Sequence, residues 1–192
     1  MPISCAILAG GLSTRMGHDK ATIEFNKKAL ITYVYDVARR IFDDIIIVTN
    51  NHRVLSGIGA RVVRDLINIR SPISGIVTSL VCSEQEYTFV LACDMPFVTE
   101  KSVRYVVDNL RGEDVVIPRT EKGFEPLHAI YSRRCIPFFV KSLASGFMKI
   151  QSVFPYLNVK TLFDNPFFYN GKVSVFANIN SKEDLVRFSS LF

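Results

Sequence analysis

Residues 8–20 combine glycines and cationic side chains in a way that suits a nucleoside triphosphate. The segment follows a short apolar run and reads L-A-G-G-L-S-T-R-M-G-H-D-K. The adjacent residues Gly10 and Gly11 let backbone N–H groups approach an anion closely, and Arg15 and Lys20 can neutralise phosphate charge. Two glycines alone would also suit an ordinary turn. The spacing matches neither a Walker A loop nor the G-x-G-x-x-G dinucleotide fingerprint, so the segment indicates a phosphate loop of another kind.

A second segment, residues 90–96, places Asp94 after an apolar run and before a turn proline. Mg²⁺ prefers one or two carboxylates together with phosphate oxygens and water, so Asp94 is a candidate metal ligand. The alternative is a turn or helix-capping aspartate. Asp65 and Asn50 also follow apolar runs, where each could hydrogen-bond a base or a ribose. Taken singly, such residues are more often turn formers.

Strand and helix patterns alternate around these segments. Ile3–Leu8 and Ile45–Val48 are continuous apolar runs, as expected of parallel strands covered on both faces, and residues 30–41 between them have helical spacing. Further strand candidates are residues 61–64, 87–92, 115–117, 128–131 and 173–176. Further helix candidates are residues 73–81, 99–110 and 133–145, and a last helix beginning near residue 181 with a capping-box pattern. Residues 147–169 give no clear pattern.

This alternation predicts an α/β fold: a three-layer α/β/α sandwich around a Rossmann-like, mostly parallel sheet. No linker or repeat divides the chain, so residues 1–192 are expected to form a single domain. In open α/β sheets, ligands bind beyond the carboxyl ends of the strands. The polar segments described above should therefore meet at one edge of the sheet.

Composition narrows the class of protein. The 192 residues are 48% apolar and 21% charged, near the globular average and unlike a disordered chain. The uncharged stretch 71–83 is too short to cross a bilayer, and the N-terminus lacks the pattern of a secretory signal, so we expect no membrane association and a cytoplasmic location. The net charge of +5 is scattered, which argues against nucleic acid as a partner. The cysteines are widely separated and are expected to be reduced core thiols.

Segment 8–20 closely resembles the signature loop of the MobA-type nucleotidyltransferases, the molybdenum-cofactor guanylyltransferases. Other segments are similar in order along the chain: S-P-I-S-G at 71–75 to the family's G-P-L-A-G, C-D-M-P at 93–96 to its metal motif, E-P-L-H-A-I-Y at 125–131 to Q-P-L-x-A-L-Y, and N-I-N-S-K-E-D-L at 178–185 to N-I-N-T-P-E-D-L. The resemblance covers nearly the whole chain. It departs at Glu125, which adds negative charge near a site for anions, and at Lys182.

The resemblance implies a sheet of the nucleotide-diphospho-sugar transferase type and a definite reaction. In the family, the terminal phosphate of molybdopterin, usually carrying molybdenum, attacks the α-phosphate of GTP. The products are molybdopterin guanine dinucleotide and pyrophosphate. The expected cofactor is Mg²⁺, and the expected partners are GTP, molybdopterin or Mo-molybdopterin, and other proteins that make or receive the molybdenum cofactor.

The resemblance also assigns roles to the first loop. The residues expected to contact the base and the phosphates through their backbone are Leu8, Ala9, Gly10 and Gly11. Arg15 and Lys20 become catalytic residues that bind the triphosphate. No covalent nucleophile is expected, because phosphoryl transfer is catalysed by positioning and charge stabilisation.

Five later residues complete the expected site. Asp94 becomes a catalytic residue that holds Mg²⁺ and the nucleotide. Asp65 is expected to contact guanine or ribose, and Asn50 is assigned to the nucleotide because the family's asparagine aligns with it to within one residue. Asn178 and Asn180 are expected to face the acceptor or to complete the metal site.

Three alternatives remain open on the sequence. The first is a cytidylyltransferase acting on molybdopterin or on another phosphorylated acceptor, and the second is a nucleotide-binding protein without catalysis. RNA binding rests only on the basic character of the chain. The aromatic residues Phe163, Phe167, Phe168 and Tyr169 are either a stacking surface for the pterin or ordinary core, and His128 is expected to be a packing histidine.

Overall fold

The computed structural model describes residues 1–10, 23–51 and 58–189. The strands in these ranges are β1 (Ile3–Leu8), β2 (Glu24–Phe25), β3 (Lys28–Ala29), β4 (Ile45–Val48), β5 (Arg61–Val63), β6 (Tyr87–Ala92), β7 (Val115–Thr120), β8 (Gly123–Phe124), β9 (His128–Ser132), β10 (Val159–Phe163), β11 (Tyr169–Asn170) and β12 (Val173–Ser174). The α-helices are α1 (Leu30–Ala38), α2 (Pro72–Cys82), α3 (Glu100–Val107), α4 (Ile136–Ala144) and α5 (Lys182–Ser189), and 3-10 turns occur at Arg133–Cys135, Ile150–Tyr156 and Pro166–Phe168.

The main sheet has the strand order β10-β7-β9-β6-β1-β4-β5, with β8 paired to β7. Strand β9 is antiparallel to both of its neighbours, whereas the other pairs along this order are parallel. At the centre, Ile7 of β1 lies opposite Ile47 of β4 on one side and Leu91 of β6 on the other. The predicted mostly parallel sheet is confirmed.

Helices cover both faces of this sheet. On one face, α1 and α3 pack against the sheet residues Cys5, Ile7, Ile47, Phe89 and Ile130. On the other face, α2, α4 and the Ile150–Tyr156 turn pack against Val90, Val115, Ile117, Ala129 and Tyr131. Successive strand residues alternate between the two faces, as the pleat requires. The three-layer α/β/α arrangement is confirmed.

Helices α3 and α5 each begin with a reciprocal pair of capping hydrogen bonds. The Thr99 hydroxyl accepts a hydrogen bond from Ser102 N, and Ser102 Oγ accepts one from Thr99 N. Before α5, Ser181 Oγ accepts from Asp184 N and the Asp184 carboxylate accepts from Ser181 N. These bonds satisfy N–H groups that have no partner inside the helix and fix where each helix starts.

Two predictions about the C-terminal third of the chain need correction. The unassigned stretch 147–169 contains β10, which pairs with β7 in parallel, Val159 opposite Val115. Residues 173–176 were expected to form a strand of the main sheet, but only Val173–Ser174 is extended, and it pairs with Tyr169–Asn170 in a separate hairpin. Val175 and Phe176 pack instead against the α1 and α3 face of the core. Their apolar character indicated burial, and the sequence pattern does not separate burial from sheet pairing.

The packing of His128 and the state of the cysteines agree with the predictions made from the sequence. His128 is fully buried, and its ring meets Phe89 and Phe176 edge-on with centroid distances of 5.2 Å each. By hydrogen-bond geometry, neither ring nitrogen has a partner among the described residues. All four cysteines, Cys5, Cys82, Cys93 and Cys135, are free thiols. Across the described ranges, no helix is long and apolar enough to cross a membrane.

Candidate active site

The carboxyl ends of four adjacent strands carry the predicted nucleotide-site residues that the structure describes. In the order β6, β1, β4 and β5, these ends lead into Asp94, Gly10, Asn50 and Asp65. Neighbouring strands lie about 4.8 Å apart, so this row spans roughly 15 Å. The structure thus places Asp94, Gly10, Asn50 and Asp65 along one edge of the sheet, and their role in nucleotide binding stays a prediction. Gly11, Arg15 and Lys20 lie outside the described residues.

Hydrogen bonds to both neighbouring strands hold the end of β1. Ala9 N donates to Val48 O at 2.8 Å, and the buried Thr49 hydroxyl donates to Ala9 O at 3.2 Å. On the β6 side, Cys93 N donates to Leu8 O at 3.1 Å. The backbone of Leu8 and Ala9 is therefore largely occupied within the sheet, and contact with a nucleotide by these two residues stays a prediction.

Positions 75 and 10 are occupied by glycine for different structural reasons. A Cβ on Gly75, inside α2, would lie 3.0 Å from Cδ1 and 3.3 Å from Cδ2 of Leu8, so the helix approaches the end of β1 closely because this residue has no side chain. Among the described residues, a Cβ on Gly10 would meet nothing within 4 Å, and Gly10 does not adopt positive φ. Neither its backbone conformation nor packing against these residues requires glycine at position 10. A ligand approaching the backbone there would require it.

Asp94 lies beside the segment that contains Asn178 and Asn180. Ile179 N donates to the backbone carbonyl of Asp94 at 3.0 Å, which brings these regions together although they are far apart in sequence. Asp94 is 8% exposed, Asn178 is exposed and Asn180 is half-buried. Carboxylate and amide oxygens are suitable ligands for Mg²⁺. The structure thus places the two predicted asparagines next to the predicted metal ligand.

The Asp65 carboxylate is engaged by three donors within the protein. Its Oδ1 accepts from the Thr78 hydroxyl at 2.7 Å and from Ile67 N at 3.1 Å, and Oδ2 lies 3.0 Å from the Ser74 hydroxyl. Asp65 therefore ties the loop after β5 to the first turns of α2. Direct contact with guanine or ribose stays a prediction, and it would have to use the remaining lone pair of Oδ2. Asn50, at the end of β4, is exposed.

Comparison with known proteins identifies the family. Residues 5–153 match the model of the MobA-like NTP transferase domain. The chain belongs to this family. It is 35% identical over 182 residues to a protein of Desulfosudis oleivorans named molybdenum cofactor guanylyltransferase, covering 93% of this chain and 90% of that protein. The chain is accordingly a nucleotidyltransferase.

Solved structures agree with this assignment. The crystal structure of molybdopterin-guanine dinucleotide biosynthesis protein A from Archaeoglobus fulgidus is similar with a TM-score of 0.84 and 25% identity, covering 98% of this chain and 97% of that one. A CMP:2-keto-3-deoxy-manno-octonic acid synthetase complexed with CTP has a TM-score of 0.78 at 13% identity, covering 100% and 98% of the two chains. This second likeness shows the shared fold alone, which is that of the nucleotide-diphospho-sugar transferases.

In this nucleotidyltransferase, a second group of loops lies at the same sheet edge on the other side of β6. Strand β9 begins there, because His128 lies opposite Leu91 and Leu127 O accepts from Ala92 N at 3.2 Å. Strand β7 continues past the edge as a hairpin with β8. The predicted nucleotide-site residues thus follow β1, β4 and β5, which form one half of the edge. Strands β9, β7 and β10 form the other half, and Asp94 lies between the two halves.

Sequence reasoning gave Glu125 only the role of an added negative charge, and the structure gives it a defined position. Glu125 N donates to Pro118 O at 2.9 Å, and Glu125 O accepts from His128 N at 3.1 Å. The Thr120 hydroxyl lies 3.3 Å from Oε1. Burial raises the pKa of the Glu125 carboxyl to about 7, although Thr120 and the nearby Lys122 act in the opposite direction. The carboxyl is thus partly protonated near pH 7.

The residues that could hold a metal fit Mg²⁺ better than a metal that needs a full protein cage. Within the ranges that the structure describes, no group of three His, Cys, Asp or Glu side chains is placed to hold an ion. Mg²⁺ takes one or two carboxylates and completes its octahedron with phosphate oxygens and water. Asp94 supplies a carboxylate of the kind that Mg²⁺ uses, and the backbone bond from Ile179 brings the segment of Asn178 and Asn180 next to it.

The aromatic cluster is divided between core and surface. Phe168 is fully buried against Phe176, so it cannot stack on a ligand. Phe167 stacks on Tyr105 with ring centroids 5.0 Å apart, whereas Phe163 is 69% exposed. The Tyr169 hydroxyl donates to Asp164 at 2.9 Å. Stacking on a pterin stays a prediction for the exposed members of the cluster.

Proposed function

We propose that this nucleotidyltransferase transfers GMP from GTP to the terminal phosphate of molybdopterin or Mo-molybdopterin, forming molybdopterin guanine dinucleotide and pyrophosphate. The names of the Desulfosudis relative and the Archaeoglobus structure support this choice of substrates. The structural observation that carries it is the bond from Ile179 N to Asp94 O. This bond brings the backbone segment that carries Asn178 and Asn180 next to Asp94, at the boundary between the two halves of the sheet edge.

The two halves separate the two substrates. GTP lies over β1, β4 and β5, with its phosphates running past Gly10 towards Asp94. The molybdopterin phosphate approaches from the β9 side and reaches the α-phosphate above Asp94. An acceptor phosphate oxygen forms the new bond to the α-phosphorus while the bond from that phosphorus to the bridging oxygen of the β-phosphate breaks, and pyrophosphate leaves.

The chain contributes positioning and charge stabilisation to this reaction. Asp94 would hold Mg²⁺, which neutralises charge on the phosphate oxygens when bound. The absence of a side chain at Gly10 allows the phosphates to approach the backbone N–H groups. Arg15 and Lys20 are assigned to the triphosphate from the sequence. Two substrates held in line need no covalent intermediate on the protein.

A nucleotide titration tests the base that we propose. The thermal midpoint of the purified protein is followed with GTP, CTP, ATP and UTP, with and without Mg²⁺, because a ligand that binds only the folded state raises the midpoint. We expect a rise that requires Mg²⁺ and is largest for GTP. A preference for CTP would indicate the cytidylyltransferase alternative. No response to any nucleotide would contradict nucleotide binding at this edge.

A further inference from the structure

Glu125 lies between β8 and β9, in the half of the sheet edge to which we assign the acceptor, and its backbone holds it there. Its N–H and C=O are bonded to β7 and to the first residue of β9, at Pro118 and His128. The neighbouring Leu127 is bonded to Ala92, two residues before Asp94. The position of Glu125 is therefore fixed relative to the reaction centre, and only its side-chain torsions are free.

Within the described ranges, the Glu125 side chain has neither a close cation nor an N–H donor that would keep it ionised. Among the described residues, the hydrogen-bond donor to its carboxyl is the Thr120 hydroxyl at 3.3 Å, and that hydroxyl is also 3.4 Å from Gly123 O. No ion pair to Glu125 occurs among the described residues, and Lys122 acts only through its more distant charge. A half-buried carboxylate without a close cation or N–H donor is stabilised by taking up a proton.

The charged groups on the surrounding elements do not change this balance. On β7 and its turn, the Arg119 guanidinium lies over the Phe124 ring, 5.1 Å from its centroid, and Glu121 is exposed. On β9, the His128 ring is buried among Phe89 and Phe176 with its pKa lowered by burial, so it is neutral near pH 7. At the end of β6, Asp94 adds negative charge to the same edge.

We propose that Glu125 is a specificity residue for the acceptor substrate: its neutral carboxyl donates a hydrogen bond to an electronegative atom of the anionic acceptor, and its ionised form repels that acceptor. The inference rests on the proposed function, because that function brings a phosphorylated, anionic acceptor to this half of the edge. Thr120 orients the group by donating to Oε1, which leaves Oε2 to carry the proton. Binding of the acceptor then stabilises the protonated form and draws a proton from solution.

Isothermal titration of molybdopterin into the protein without GTP, so that no transfer follows binding, measures this proton uptake when it is repeated at pH 7.5 in buffers of different ionisation enthalpy. Because burial raises the pKa of Glu125 to about 7, part of the free protein is ionised at pH 7.5, and we expect the wild type to take up protons when the acceptor binds. Acceptor affinity should fall above pH 7, approaching tenfold per pH unit. Glu125→Gln keeps a donor in place of the protonated oxygen, and it should bind the acceptor with little proton uptake and a flat dependence above pH 7.

Glu121→Gln is the matched control, because it removes the same charge from an exposed position on the same turn and should retain the wild-type pH dependence. Equal proton uptake by the wild type and Glu125→Gln would overturn the proposal, as would tighter binding by the wild type as Glu125 ionises. A Glu125 carboxyl that titrates near pH 4 in ¹³C NMR of the protein would overturn it without any acceptor. Failure of the proposed function is distinct, because neither protein would then bind molybdopterin or form the dinucleotide at any pH.

Discussion

Gly75 of α2 lies against Leu8 at the end of β1, and a Cβ at position 75 would come within 3.0 Å of Leu8 Cδ1. Leu8 is the last residue of its strand, immediately before Ala9 and Gly10. Helix α2 and the central strand therefore approach as closely as a glycine allows. The packing of the end of β1 against α2 therefore depends on a residue without a side chain.

Gly75→Ala is expected to lower stability through this contact. Overpacking typically lowers the free energy of unfolding by about 1–3 kcal/mol, and the higher helix propensity of alanine raises it by about 1 kcal/mol. The net loss should be about 1 kcal/mol in the free energy of unfolding, measured by urea denaturation. A variant more stable than the wild type would show that Leu8 moves aside freely.

Gly10→Ala is expected to leave the stability of the protein nearly unchanged and to weaken the binding of GTP. A methyl group there meets no atom of the described residues within 4 Å, so the free energy of unfolding should change by less than about 0.5 kcal/mol. The stabilisation of the protein by GTP should be largely lost, because the methyl group occupies space that the phosphates need. If GTP raised the thermal midpoint of Gly10→Ala as much as that of the wild type, Gly10 would not contact the nucleotide.

Asp94→Asn should remove turnover while leaving the fold intact. The bond from Ile179 uses the backbone carbonyl of residue 94 and survives the substitution. Losing one charged group that stabilises the transition state costs about 100-fold or more in rate. The measurement is the rate of pyrophosphate release over a range of Mg²⁺ concentrations. Asp43→Asn, the same change at an exposed residue before β4, is the control and should retain wild-type turnover.

The burial of His128 predicts a loss of stability in mild acid. Burial lowers the pKa of His128 from 6.5 to about 4, so between these values the unfolded chain binds a proton that the folded chain does not. Stability should therefore fall as pH drops from 6.5 towards 4, by about 3 kcal/mol over the window. His128→Phe should reduce that dependence, as measured by urea denaturation at several pH values. Parallel curves for the two proteins would show that His128 does not cause the loss.

The sequence predicts the central part of this fold because each buried parallel strand is a continuous apolar run. Strands β1, β4 and β6 are fully recognisable in this way, and their polar successors mark the site. Strand β10 carries Lys160 and Thr161 on the open edge of the sheet, so its pattern is weak. Local patterns also cannot pair Asp94 with Ile179, because that contact depends on the tertiary path of the chain. The buried setting of Glu125 likewise depends on the β7–β8 hairpin folding over the edge.

The most direct test of the proposed reaction offers GTP and CTP together, at equal concentration, to the purified protein with molybdopterin and Mg²⁺, and identifies the products by mass spectrometry. We predict that the wild type forms molybdopterin guanine dinucleotide with one equivalent of pyrophosphate, and that Asp94→Asn forms neither product. A cytosine dinucleotide as the main product would contradict the choice of GTP. Cleavage of GTP without any dinucleotide would contradict transfer to molybdopterin.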